Sequence, residues 1–128
     1  MKKVKLKTPD QNENSSKELD KGLDHVIVEI VEYIDNAVMS RTILKKITGN
    51  VTAMSFSEGE ELSEKTIPFD TYIQIIDGTA DITIEKTTHH LEHGSGIVIP
   101  AHTVHRFNAS QKFKMISTMI KSGYEEVA

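Results

Sequence analysis

The sequence predicts an all-β fold closed into a barrel, and three observations carry that prediction. Short runs rich in Val, Ile and Thr recur from Met39 onward, and β-branched side chains suit a pleated, half-buried surface. Glycine-bearing turns punctuate those runs at Gly49-Asn50, Asp77-Gly78 and Gly94-Ser95-Gly96. Alternation with period two completes the pattern: Ala80, Ile82 and Ile84 interleave with Asp81, Thr83 and Glu85, so one face is dry and the other wet. Many short strands at this spacing indicate a sandwich or a closed barrel.

Along the chain, residues 1–22 form a polar, flexible tail: Lys2, Lys3, Lys5 and Lys7 lead into Thr8-Pro-Asp-Gln-Asn-Glu-Asn-Ser-Ser, which offers little apolar area against its ordering entropy. Residues 23–128 are expected to form a single barrel domain. His25 to Ile34 is a strand or a short helical turn, because β-branched content favours the first and the spacing of Ile27, Ile30, Val31 and Ile34 the second. Arg41–Thr48 and Val51–Ser57 are expected to pair as a hairpin through Gly49-Asn50, and Thr71–Ile76 and Thr79–Glu85 through Asp77-Gly78. Ile97 to Ile99 ends at Pro100, which donates no ladder hydrogen bond. Val104–Asn108 and Lys112–Ile120 complete the set.

Composition excludes several functions. No cysteine is present, so disulfides, thiolate metal sites and cysteine nucleophiles are absent together. The net charge of −4 argues against a nucleic-acid partner, which would call for a basic face. Apolar runs are too short for a membrane span, and the basic start lacks the apolar stretch of a secretory signal. A cytoplasmic protein is expected.

Two segments resemble the motifs of the cupins. The first cupin motif is a glycine, five residues, His-x-His, three or four residues, Glu, six residues and a glycine. Gly59 and Gly78 stand at its ends, but Lys65 and Ile67 occupy the two histidine positions and Thr71 the glutamate position. The second is a glycine, five residues, Pro-x-Gly, two residues, histidine and a later asparagine. Gly94, Pro100 and His105 match, His102 replaces the inner glycine, and Asn108 comes one residue early. The resemblance covers residues 37–120 and implies a jelly-roll barrel (a double-stranded β-helix) with a degenerate metal motif, preceded at most by one short helix. It also implies a homodimer, with His25 to Ile34 covering an edge or reaching across the two-fold.

Cupins commonly hold a divalent metal on the two histidines and glutamate of the first motif and the histidine of the second. Only His105 of those four remains, and an ammonium at position 65 repels a cation. No cofactor is therefore expected. A rearranged metal site would draw on His105, Gln74 and His102, with Asp70 and Tyr72 near them. Both faces of the strand at 71–76 are open: Asp70, Tyr72 and Gln74 share one, and Thr71, Ile73 and Ile75 the other. Hydrophobicity and the family register favour the second as the inner face. His89, His90 and His93 are expected on a solvated hairpin, and Glu58, Glu60, Glu61 and Glu64 on a hydrated loop.

The expected ligand pocket is lined by Lys65, Ile67, Thr71, Ile73, His105 and Phe107. His105 and Phe107 lie two apart on a strand and share a face. Lys65 and His105 together suit an anionic or polar small molecule, which makes a metal-independent binding protein the favoured reading. The alternative is a small cupin enzyme of isomerase, lyase or dioxygenase class. It would use non-standard metal ligands or His105 as general acid or base.

Overall fold

The structure, a computed structural model, describes residues 17–123. The first sixteen residues of the expected tail lie outside that range. Its remainder, Lys17 to Gly22, runs beside the first strand: the Leu19 N–H donates to the Ile43 carbonyl at 3.2 Å. The Glu18 carboxylate accepts from Lys21 Nζ at 2.8 Å and from the Lys45 N–H at 2.6 Å. Those donors, Lys21 first, hold the Glu18 carboxyl down to about 2.

Eight strands form among the described residues: β1 (Val38–Lys46), β2 (Gly49–Phe56), β3 (Glu61–Ile67), β4 (Thr71–Ile84), β5 (Thr87–Glu92), β6 (Gly96–Ile99), β7 (Thr103–Asn108) and β8 (Phe113–Ile120). All pairings are antiparallel, in the order β1-β2-β8-β4-β7-β3, with β5 and β6 also paired to β4. No helix among these residues is long and apolar enough to cross a membrane.

Both expected hairpin turns are corrected. The chain reverses at Ile47-Thr48, and Gly49 and Asn50 are already the first residues of β2. Gly49 serves close approach instead, since a Cβ there would lie 2.5 Å from the Met119 carbonyl oxygen of β8. Asp77-Gly78 does not reverse the chain at all. β4 is one continuous strand with a register shift between Ile75 and Asp77. Its first half pairs with β6 and β8, its second with β5 and β7, so the bend carries it from one wall of the barrel to the other.

Inside the barrel, Phe56, Ile73, Ile75, Ile82, Phe107, Phe113 and Met115 form the main core. Phe56 stacks on Phe113 at 4.4 Å between ring centroids, an offset arrangement that adds to plain area burial. Thr71, Ile73 and Ile75 point inward while Tyr72 and Gln74 are exposed, as hydrophobicity favoured.

The segment from His25 to Ile34 is a 3₁₀ turn at Ile27–Glu29 followed by a bend and irregular chain, with no strand. It covers the outer face of the β1–β2–β8 wall. Val31 is fully buried there against Ala53 and Ile116. Ser55 Oγ donates to the Glu32 carbonyl at 2.6 Å, Lys114 Nζ donates to the Val28 carbonyl, and the Tyr33 hydroxyl donates to Asp77 Oδ2 at 2.6 Å. Val31 and Ile30 thus pack as a cover, whereas Val26, Ile27 and Ile34 stay exposed.

That clasp carries a pH signature. Burial, then the hydrogen bond to Asp77 and its charge, raise the Tyr33 phenol above its ordinary range. A phenol with a raised folded pKa contributes stability below its unfolded value of about 10, which is lost as pH climbs further. Burial lowers the Lys114 ammonium, which acts in the opposite sense over the same alkaline range. The difference between wild type and Tyr33→Phe therefore isolates the phenol. In urea melts from pH 8 to 11.5, Tyr33→Phe is expected to start about 0.5–1.5 kcal/mol lower, the net worth of one hydrogen bond. Its gap to wild type should then narrow above pH 10; a constant gap would show that the phenol does not titrate with unfolding.

Candidate functional site

A partly open cavity of about 250 Å³ lies within the barrel. Strand alternation builds it. β2 contributes Asn50, Thr52 and Met54, β8 contributes Met115, Ser117 and Met119, and β4 contributes Thr71 and Ile73. Facing them are Lys65 and Ile67 of β3 and His105 and Phe107 of β7. All six residues expected in the pocket line this one cavity.

Lys65 owes its place to an irregularity. Regular alternation from Leu62, which lines the cavity, would turn Glu64 and Thr66 inward and Lys65 out. The register of β3 against β7 shifts between Leu62 and Lys65, which sets Lys65 and Ile67 on the inner face. Lys65 is then the direct cross-strand partner of His105, a position from which side chains on one face meet. The lysine is exposed toward solvent, whereas His105 is buried at 4% exposure.

His105 is held by one hydrogen bond and one ring contact. Its Nδ1 lies 3.1 Å from the Thr103 carbonyl, and because a carbonyl only accepts, Nδ1 carries the proton. Nε2 is thereby the ring's remaining polar atom. Phe107 packs against the imidazole at 5.8 Å and an interplanar angle of 81°, fixing its tilt.

Thr71 stands at the position of the family's glutamate. It is 5% exposed, and no protein atom hydrogen-bonds its Oγ1. A buried hydroxyl without a partner costs about 1–3 kcal/mol, so this orphan marks a place where a ligand atom or water completes the bonding.

The donors suggested for a rearranged metal site do not converge. Gln74 is on the outer face, opposite Ile116 in register. His102 is exposed in the turn between β6 and β7, where its N–H donates to the Ile67 carbonyl at 2.7 Å and its φ is +63°; that left-handed backbone is why a glycine suits the family position. Asp70 Oδ1 accepts from the Ala101 N–H at 2.8 Å and ties two turns together. Tyr72 is exposed beside Gly96. His89 and His90 lie on the β4–β5 hairpin: they pair with Ile82 and Asp81, and His90 Nδ1 lies 2.5 Å from Asp81 Oδ1. Among the described residues no three His, Asp or Glu are grouped to hold a metal ion.

The donor set around His105 does not fit the divalent ion that the fold family commonly carries. Its lining offers one imidazole, an ammonium, an amide and hydroxyls, and no carboxylate among the described residues. Hard and borderline cations alike require several anionic or imidazole donors.

Sequence reasoning missed the β2 and β8 side of the cavity. Asn50 and Thr52 face inward while Val51 and Ala53 face outward, the reverse of the usual pattern. The inner face there is a polar pocket wall, and the outer face is dry because Val31 and its neighbours cover it.

An antiparallel jelly-roll barrel with a partly open cavity between its walls defines the class. The chain has the cupin fold and is similar to cupin-superfamily proteins of known structure. It is similar to a conserved protein of unknown function from Streptococcus pyogenes, at 25% identity and TM-score 0.78, over 87% of this chain and 95% of that one. A cupin superfamily protein from Desulfitobacterium hafniense is similar at 26% identity and TM-score 0.76, over 81% and 95%. A cupin 2 conserved barrel domain protein from Leptotrichia buccalis is similar at 27% identity and TM-score 0.71, over 73% of this chain and 46% of that one. Residues 60–118 match the model of the AraC-like ligand binding domain. No curated protein matches the chain.

Proposed function

We propose that this cupin binds an anionic or polar small molecule without a metal, with Lys65 supplying the positive charge that a metal supplies elsewhere in the family. The observation that carries this reading is the direct pairing of Lys65 with His105 across β3 and β7, both lining the cavity. Lys65 can donate charge-assisted hydrogen bonds to a carboxylate, and His105 sets a buried imidazole beside it. The match of residues 60–118 to a ligand-binding domain supports binding as the barrel's task.

Calorimetric titration of short carboxylates such as hexanoate, with a chelator present throughout, tests the reading. Binding should persist, and Lys65→Ala should weaken it by about 1.5–3 kcal/mol, roughly ten- to hundredfold. The reading fails if chelation lowers both the melting temperature and the affinity and zinc, nickel or iron restores them. A second reading, acid–base catalysis by His105, draws on the fixed Nδ1–H tautomer, which presents Nε2 as a base. It predicts turnover that His105→Gln abolishes while binding survives.

A further inference from the structure

Resting on that anion-binding reading, we infer that the ligand is a small hydroxylated carboxylate: an acid head for Lys65, and hydroxyl groups for the opposite wall.

The cavity is chemically two-sided. Lys65 and His105 belong to the β3–β7 wall. Across it, β4, β8 and β2 turn a run of neutral polar groups inward. Thr52 and Ser117 are direct cross-strand partners, and Met119 separates Asn50 from Thr71 in register. Directly opposed side chains on one face lie about 4.5–5.5 Å apart at Cβ and diagonal ones about 7–8 Å, a spacing that successive hydroxyls of one small molecule can span. Thr71 is the most demanding member, because its buried Oγ1 has no protein partner. An aliphatic acid would leave that hydroxyl unpartnered in the complex as well, whereas a hydroxyl-bearing one would complete it.

Charge sets the other boundary. No Asp or Glu among the described residues lines the cavity, so an ammonium group on the ligand would meet Lys65 with no counter-charge, and amines and amino acids are disfavoured. Size sets the last. A volume of 250 Å³ equals about eight waters at ~30 Å³ each, the scale of a six-carbon acid.

Three six-carbon probes separate these terms: gluconate carries head and hydroxyls, hexanoate the head alone, and glucose the hydroxyls alone. Titrated into the full chain with chelator present, gluconate is expected to bind at least tenfold tighter than either of the others. Thr71→Val, which keeps the side-chain shape and removes the orphan hydroxyl, should fold with an unchanged or higher melting temperature. It should cost gluconate at least fivefold in affinity and leave hexanoate within twofold. If hexanoate matches gluconate and both depend on Lys65, the hydroxylated ligand is overturned while anion binding stands. Glucose matching gluconate, or none of the three binding, overturns both readings. A Thr71→Val variant that leaves gluconate untouched, or weakens both acids equally, overturns the role given to Thr71.

Discussion

Gly78→Ala is expected to destabilise the barrel by at least about 3 kcal/mol, at the severe end of single substitutions. Two costs combine. Gly78 has φ +73°, a left-handed conformation that penalises an L side chain by about 1–2 kcal/mol. An added Cβ would also collide with the Lys112 carbonyl oxygen and press on Phe113 Cα. That backbone cannot yield as a flexible side chain would, because Phe113 is fully buried and stacked on Phe56. Gly94→Ala provides the comparison: its φ is +88° but nothing lies within 4 Å of the added atom, so it should cost only the conformational ~1–2 kcal/mol. Urea melts of both variants check this. Equal losses would mean that β8 moves aside freely. Displacement of β8 at Phe113 would also carry Met115, Ser117 and Met119 out of place in the pocket wall, so ligand affinity should fall in Gly78→Ala and hold in Gly94→Ala.

Gly78 also shows what the sequence could and could not convey. Asp77-Gly78 carries the residue chemistry of a tight turn, and a bend does occur there. Turn chemistry reports the local dihedral, however, not whether the chain reverses. Reversal is decided by which strands compete for β4's two edges, a long-range matter. Gly49-Asn50 misleads differently, since Gly49 is present because β8 passes close to it. Where one face alone is dry the pattern was legible: Thr71, Ile73 and Ile75 turn inward, and His105 shares a face with Phe107. On β2 it was not, because the pocket wets the inner face and the N-terminal cover dries the outer one. Lys65 was readable only through the family register. The shift between Leu62 and Lys65 that turns it inward leaves no mark in the alternation of Glu61-Leu-Ser-Glu-Lys-Thr-Ile.

A variant that restores the family's donors, Lys65→His with Ile67→His and Thr71→Glu, is expected to bind one zinc or nickel ion per chain. All three positions line the cavity together with His105, so three imidazoles and a carboxylate would converge, a donor set suited to these ions. Without metal the variant should be less stable than wild type, because position 71 is 5% exposed and a carboxyl there is costly to ionise with Lys65 gone. Metal at a hundred times its Kd should then return about 2.7 kcal/mol, a rise of roughly 10 °C for a domain of this size. Elemental analysis and thermal melts read both effects, and adding His105→Ala should abolish them. Metal retained without His105, or no metal bound at all, would show that these side chains do not share one centre, and the pairing of Lys65 with His105 would lose its chemical meaning. The most telling member is the double variant Ile67→His with Thr71→Glu, which keeps Lys65. Three donors are then present, yet the ammonium would occupy the centre and pair with the new carboxylate, so this chain should stay stable and take up no metal. That contrast would locate the exclusion of cations in the single lysine.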